Sequence, residues 1–148
     1  MLKKLFFYCA FLLLLSGTLH AQNDKVGISV SHTGNDSVGT QLAFAVREAI
    51  RGSQGYKLAQ KDQSGIQIRL ITINPDENIN SSSWTVATVV LTMSNFFPYD
   101  SKNPQSWYPL YLTSHVMTVG NSKTDEQARK ILASVDAEVE KFRLDARQ

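Results

Sequence analysis

The sequence predicts a single α+β domain: a mixed sheet of four to five strands in the order β-α-β-β-β-β-α, with two helices on one face. Three observations carry that expectation. Val26, Ile28 and Val30 alternate with Gly27, Ser29 and Ser31; two segments repeat apolar residues at helical spacing; and a run of threonine, valine and aromatic residues lies between them.

The front of the chain stands apart from that domain. Lys3 and Lys4 precede an apolar run over residues 5–15, followed by Ser16, Gly17, Thr18 and Ala21, the order of charged, apolar and small regions in a secretory signal. A permanent membrane helix needs about twenty apolar residues, and this run is shorter. Residues 1–21 are therefore expected to be a cleavable signal peptide, and 22–148 a periplasmic or secreted domain without a transmembrane anchor. Cys9, the one cysteine, lies inside the run. Its removal excludes a disulfide framework, a thiol nucleophile and cysteine metal ligation.

Loss of Lys3 and Lys4 leaves thirteen basic residues against thirteen acidic ones. A neutral chain with no later run of lysine or arginine does not read as a nucleic-acid binder, which needs a basic face.

Strand one, around Val26 to Val30, leads through His32, Thr33, Gly34 and Asn35 to Asp36 and Ser37, either of which can cap a helix. Val38, Leu42, Ala45, Val46, Ala49 and Ile50 then fall three and four apart, predicting a helix to about Arg51 with Gly52 and Gly55 ending it. A short strand is expected over 56–60 and a third over 66–73, where Ile66, Ile68 and Leu70 alternate with Gln67 and Arg69. Strand one, the helix and the return strand suit a parallel crossover.

The segment over 84–93 reads as a long strand, and 109–119 as its antiparallel partner. Leu110, Leu112 and Val116 are expected on one face of that partner, Tyr111, His115, Met117 and Val119 on the other, both faces at least half covered. Thr124 and Gln127 form a capping-box pattern before the last helix, whose stripe is Ala128, Ile131, Leu132, Val135, Val139 and Phe142. On its outer face Asp125 and Arg129, and Glu126 and Lys130, are spaced four apart as surface pairs.

From Val26 to Ile73 the layout (Val26, Ile28 and Val30, then Gly39, the stripe Leu42, Val46 and Ile50, then Ser53, Tyr56 and Leu58) resembles the amino-terminal domain of TolB and the α/β domains of CsgG-type secretion proteins. The resemblance covers about a third of the chain. It implies a non-catalytic domain contacting an envelope protein partner and supplies no catalytic residue. The long aromatic hairpin departs from it.

That hairpin is the first candidate site. Phe96, Phe97, Tyr99, Trp107 and Tyr108 fall in an expected loop otherwise made of proline and polar residues. Aromatics at a surface pack locally or bind, and Trp and Tyr are favoured at interface hot spots. A small satellite core, a tip that contacts a partner or ligand, and insertion into a membrane surface are the open readings. The second candidate is the loop before the first helix, where His32, Asn35 and Ser37 border amides able to hold an anion and where His32 with Asp36 offers acid–base groups. Its plainer reading is a capped turn with a solvated histidine. His115 is expected to be an ordinary sheet histidine.

No phosphate loop, nucleophile elbow, metal-ligand spacing or cofactor motif is present in the sequence. The leading expectation is a non-enzymatic envelope binding or assembly domain. A small hydrolase or lyase using His32 and Asp36, and a small-ligand binder between sheet and aromatic loop, are the alternatives.

Overall fold

The computed structural model describes residues 25–61, 65–75, 83–98 and 107–145, with the backbone alone at 94–98 and 107–108. The expected signal peptide over 1–21 and Tyr99 lie outside them. In chain order the elements are β1 (Val26–Thr33), α1 (Ser37–Arg51), β2 (Tyr56–Leu58), β3 (Ile66–Ile73), β4 (Trp84–Pro98), β5 (Trp107–Gly120), a 3-10 turn (Asn121–Lys123) and α2 (Thr124–Asp145). They form the single α+β domain that the alternation and helical stripes predict.

Asp36 is the residue that starts α1. Its backbone is extended (φ −83°, ψ 147°), and its carboxylate accepts the Gly39 amide at 2.5 Å, satisfying one of the helix's free N–H groups. The apolar stripe then lays Leu42, Val46 and Ile50 wholly into the core. The far end falls where expected, at Arg51 with Gly52 as the cap, but the cap conformation is not the usual glycine one. Gly52 is in the right-handed region (φ −76°) and donates to the Glu48 carbonyl at 2.9 Å, so no left-handed conformation is needed there.

The strands order themselves β2-β1-β3-β4-β5. β1 runs parallel to β2 and to β3, as the crossover reading expects, while β3, β4 and β5 are successively antiparallel. Both helices cover one face. Their residues Leu42, Val46, Ile131 and Val135 meet Ile28, Ile68, Leu70, Val89 and Leu91 in one core cluster, where each fully buried Val, Leu or Ile contributes roughly 1.5–3 kcal/mol.

Two expectations about the hairpin are corrected. The strands run on into the aromatic stretch, pairing Phe97 with Tyr108 and Pro98 with Trp107, so Phe96, Phe97, Trp107 and Tyr108 have strand backbone rather than loop backbone. In β5 a bulge falls at Leu112, because Leu91 pairs with Thr113 while its neighbour Thr92 pairs with Tyr111. An extra residue reverses the alternation beyond it. Tyr111 thus joins Val116 on the face away from the helices, and Leu110 crosses to the helix side. That outer face is not half covered along β5: Val116 is 73% exposed and Tyr111 59%.

The capping box of α2 does not form. The 3-10 turn feeds directly into the helix, so Thr124 already has helical angles (φ −58°, ψ −42°), and its hydroxyl donates back to the Asn121 carbonyl at 3.4 Å. The charged outer face is as expected in one respect: Lys130 meets Glu126 at 2.8 Å and Lys123 meets it at 3.1 Å. Hydrogen bonds and charge from the two lysines hold the Glu126 carboxyl down at about 2.

Candidate functional site

His32 ends β1 on the helix side of the sheet, beside Leu70 of β3, and Asp36 begins α1 four residues later. The residue that joins them is Thr72. Its hydroxyl donates to Asp36 Oδ2 at 2.6 Å and lies 2.8 Å from His32 Nε2. An ionised carboxylate only accepts, so the single hydroxyl proton belongs to the Asp36 bond. His32 Nε2 then carries a hydrogen and donates it to Thr72.

Burial raises the Asp36 carboxyl, but hydrogen bonds from Thr72 and the Gly39 amide outweigh it, and the group is held below the ordinary carboxylate range. Asp36 and Thr72 are both buried. Two glycines close over them: a Cβ on Gly34 or on Gly39 would come within 2.2 Å of the Thr72 hydroxyl. Gly34 also has φ +149°, a conformation L side chains rarely adopt.

This arrangement ties a loop to the sheet. Thr72 has its proton committed to Asp36 and accepts from His32, the reverse of what a nucleophile activated by histidine requires. The α1 amide nearest the site is occupied by the chain's own carboxylate, and Asn35 and Ser37 are exposed outside the network. Sequence reasoning brought His32 and Asp36 together but missed Thr72. Its signal was a polar residue at the inward position that follows Ile66, Ile68 and Leu70.

The other candidate lies at the far edge of the sheet. β5 pairs only with β4, so its outer backbone groups have no strand beside them among the described residues. Its sequence, from Trp107 through Gly120, contains no lysine, arginine, aspartate or glutamate. Edge strands are normally guarded by charge, proline or a bulge. Pro109 and the Leu112 bulge guard one half, and residues 113–120 pair with β4 in unbroken register. The adjoining outer face carries Ile71, Ile73, Val116 and Tyr111, all exposed, with the Tyr111 hydroxyl 2.8 Å from the Ser114 hydroxyl. His115 sits opposite Val89 on the helix side and is exposed.

Of the aromatic tip, Phe96, Phe97, Trp107 and Tyr108 are placed by backbone at the end of this same hairpin. Among the described residues no group of three or more His, Cys, Asp or Glu side chains is placed to hold a metal ion. No helix among them is long and apolar enough to cross a membrane.

Fold and surface together define a mixed-sheet α+β domain with one helix-covered face, one uncovered face and an uncharged edge strand. No family model matches the chain, and no curated protein matches it. A hypothetical protein of Chlamydia trachomatis is similar in structure, with a TM-score of 0.46 and 10% sequence identity over 78% of this chain and 98% of that one.

Proposed function

We propose that the protein is an exported, non-enzymatic binding or assembly domain that docks a protein partner of the cell envelope along β5, with the aromatic end of the hairpin and the outer sheet face beneath it. One observation carries this reading: an edge strand with no charged residue borders a face on which Val116, Tyr111 and Ile73 are exposed. An edge of this kind accepts an added strand through its backbone groups, and neighbouring apolar side chains give the addition its specificity. The resemblance of residues 26–73 to TolB-type and CsgG-type domains points to the same class of role.

The test is chemical cross-linking in the envelope of the producing cell, comparing wild type with Val116→Lys and Ser114→Lys. Phe44→Lys, on an exposed residue of α1, is the control. A cross-linked partner that is kept by the control and lost with both β5 variants supports the reading. Loss with all three, or with none, overturns it. Trp107→Ala and Phe97→Ala report separately on the hairpin tip.

A small hydrolase or lyase is a second reading, favoured only by the shared Thr72 hydroxyl between His32 and Asp36. It requires Thr72 to become accessible. A substrate screen in which His32→Ala keeps full activity removes it.

A further inference from the structure

At the opposite side of the sheet from β5, the three-residue β2 stops short. Its last bond to β1 is followed by the Ala59 amide donating to the Ile28 carbonyl at 2.9 Å, and by Gly65 the chain has passed to the other side of β1, where the Gly65 amide donates to Gly27 at 2.9 Å. Among the described residues the second half of β1 therefore has no strand on its outer side. A cavity of about 390 Å³ fills that notch, and the polar residues Ser29, Ser31, Gln67 and Arg69 line it from the uncovered face of the sheet.

Charge is what distinguishes this cavity. Arg47 reaches across from α1 with its guanidinium on the Val30 carbonyl at 3.3 Å, Arg69 stands on β3 between Ser31 and Val90, and Lys61 closes the rim. No carboxylate lines it among the described residues. Three other helix cations, Arg51, Lys130 and Arg143, each have a glutamate one turn away. Among the described residues Arg47 and Arg69 have no such partner. Like charges around one concave surface attract a multivalent anion and repel one another without it. Guanidinium groups match the oxygens of phosphate in paired hydrogen bonds, and serine and glutamine supply donors and acceptors for hydroxyl groups.

We propose that this notch binds the phosphate group of a small hydroxylated ester, held by Arg47 and Arg69, with the rest of the ester against Ser29, Ser31 and Gln67. The cavity is larger than a bare phosphate needs. The site is separate from β5, so it stands or falls independently of the partner reading.

The experiment is an amide chemical-shift titration of the whole domain at low ionic strength, where exposed charges are least screened. Glucose 6-phosphate and glucose are the probes, applied to wild type, Arg69→Gln and Arg51→Gln. Arg69 and Arg51 are both exposed, so neither change disturbs the core. Millimolar or tighter binding of the phosphate is expected, with shifts confined to residues 29–31, 59–61 and 67–69, at least tenfold weaker in Arg69→Gln and unchanged in Arg51→Gln. Glucose should give no such shifts. Equal binding of glucose, equal weakening by Arg51→Gln, or no localised shift at millimolar ester would overturn the site. Phosphatidylglycerol vesicles form a second arm. Cosedimentation lost in Arg69→Gln assigns the same chemistry to a lipid headgroup, whereas ester binding without cosedimentation assigns it to a free phosphate ester.

Discussion

Thr72 is one hydroxyl, yet three backbone segments depend on it: the end of β1 through His32, the start of α1 through Asp36, and β3 itself. Gly39 is packed directly on it, with an added Cβ falling 2.2 Å from its oxygen and 2.7 Å from its Cβ. Alanine gains up to about 1 kcal/mol over glycine inside a helix, but overpacking costs about 1–3 kcal/mol, and a β-branched residue fixed by two hydrogen bonds has little room to yield. Gly39→Ala is therefore expected to destabilise the fold by about 1–2 kcal/mol net, lowering the urea midpoint with an unchanged slope. A raised midpoint would show that Thr72 moves freely. Asp36 makes the network sensitive to acid. Its carboxyl is depressed in the folded state, so its contribution is complete above the ordinary value of 3.8 and is lost as pH falls through the lower folded value. Asp36→Asn keeps an acceptor for the Gly39 amide and removes the titration. Unfolding curves collected from neutral pH downward should flatten below 3.8 in this variant, and an unchanged acid limb would place the sensitive group elsewhere.

At the scale of elements, the parts read correctly from sequence are those whose periodicity is local. The Leu42, Val46 and Ile50 stripe requires α1 whatever surrounds it, and the alternation of Ile66, Ile68 and Leu70 requires β3. What escaped depends on pairing. Nothing in residues 110–113 marks Leu112 as the extra one, because the bulge is fixed by the register with Leu91 and Thr92 across the ladder. The aromatic stretch read as loop for the same reason: proline and polar residues punctuate it, but pairing of Phe97 with Tyr108 carries both strands through. The Thr124 pattern failed because a 3-10 turn had already taken up the helix start. One tie between elements was invisible in sequence altogether. The Tyr56 hydroxyl on β2 donates to Asp136 Oδ1 on α2 at 2.6 Å, and burial, then the Asp136 bond and charge, push the phenol well above its ordinary range. A bond to a charged group contributes roughly 1.5–3 kcal/mol when buried. Asp136 is exposed and water replaces part of it, so Tyr56→Phe is expected to cost about 1 kcal/mol. The raised phenol gives stability that is full below its ordinary value of 10 and lost as pH climbs through the folded one. Thermal melts of Tyr56→Phe should accordingly lose part of the steep alkaline decline, and identical declines would remove Tyr56 as its source.

For the whole molecule, the sheet has two unlike edges. β2 ends one side after three residues, with Lys57 at its middle, and the chain then folds away from it. β5 ends the other with fourteen residues and no charge. Among the described residues such an edge is interrupted only by Pro109 and the bulge, so residues 113–120 offer regular backbone groups to any strand that arrives. In a purified sample the available strand is β5 of a second molecule, and apolar Val116 beside that edge favours its approach. The domain alone is therefore expected to self-associate as concentration rises, visible as a shift from monomer to dimer in sedimentation velocity. Val116→Lys with Ser114→Lys places two like charges on exposed side chains next to the edge without touching the core, and should hold the protein monomeric while shifting the melting temperature of the monomer by no more than a few degrees, since each surface change generally stays within about 0.5 kcal/mol. The amides of residues 113–120 that point away from β4 should exchange with solvent rapidly in this variant and more slowly in concentrated wild type. A wild-type sample that stays monomeric throughout, with those amides already protected, would mean that residues beyond the described ones cover the edge, and docking along β5 would then have to displace them.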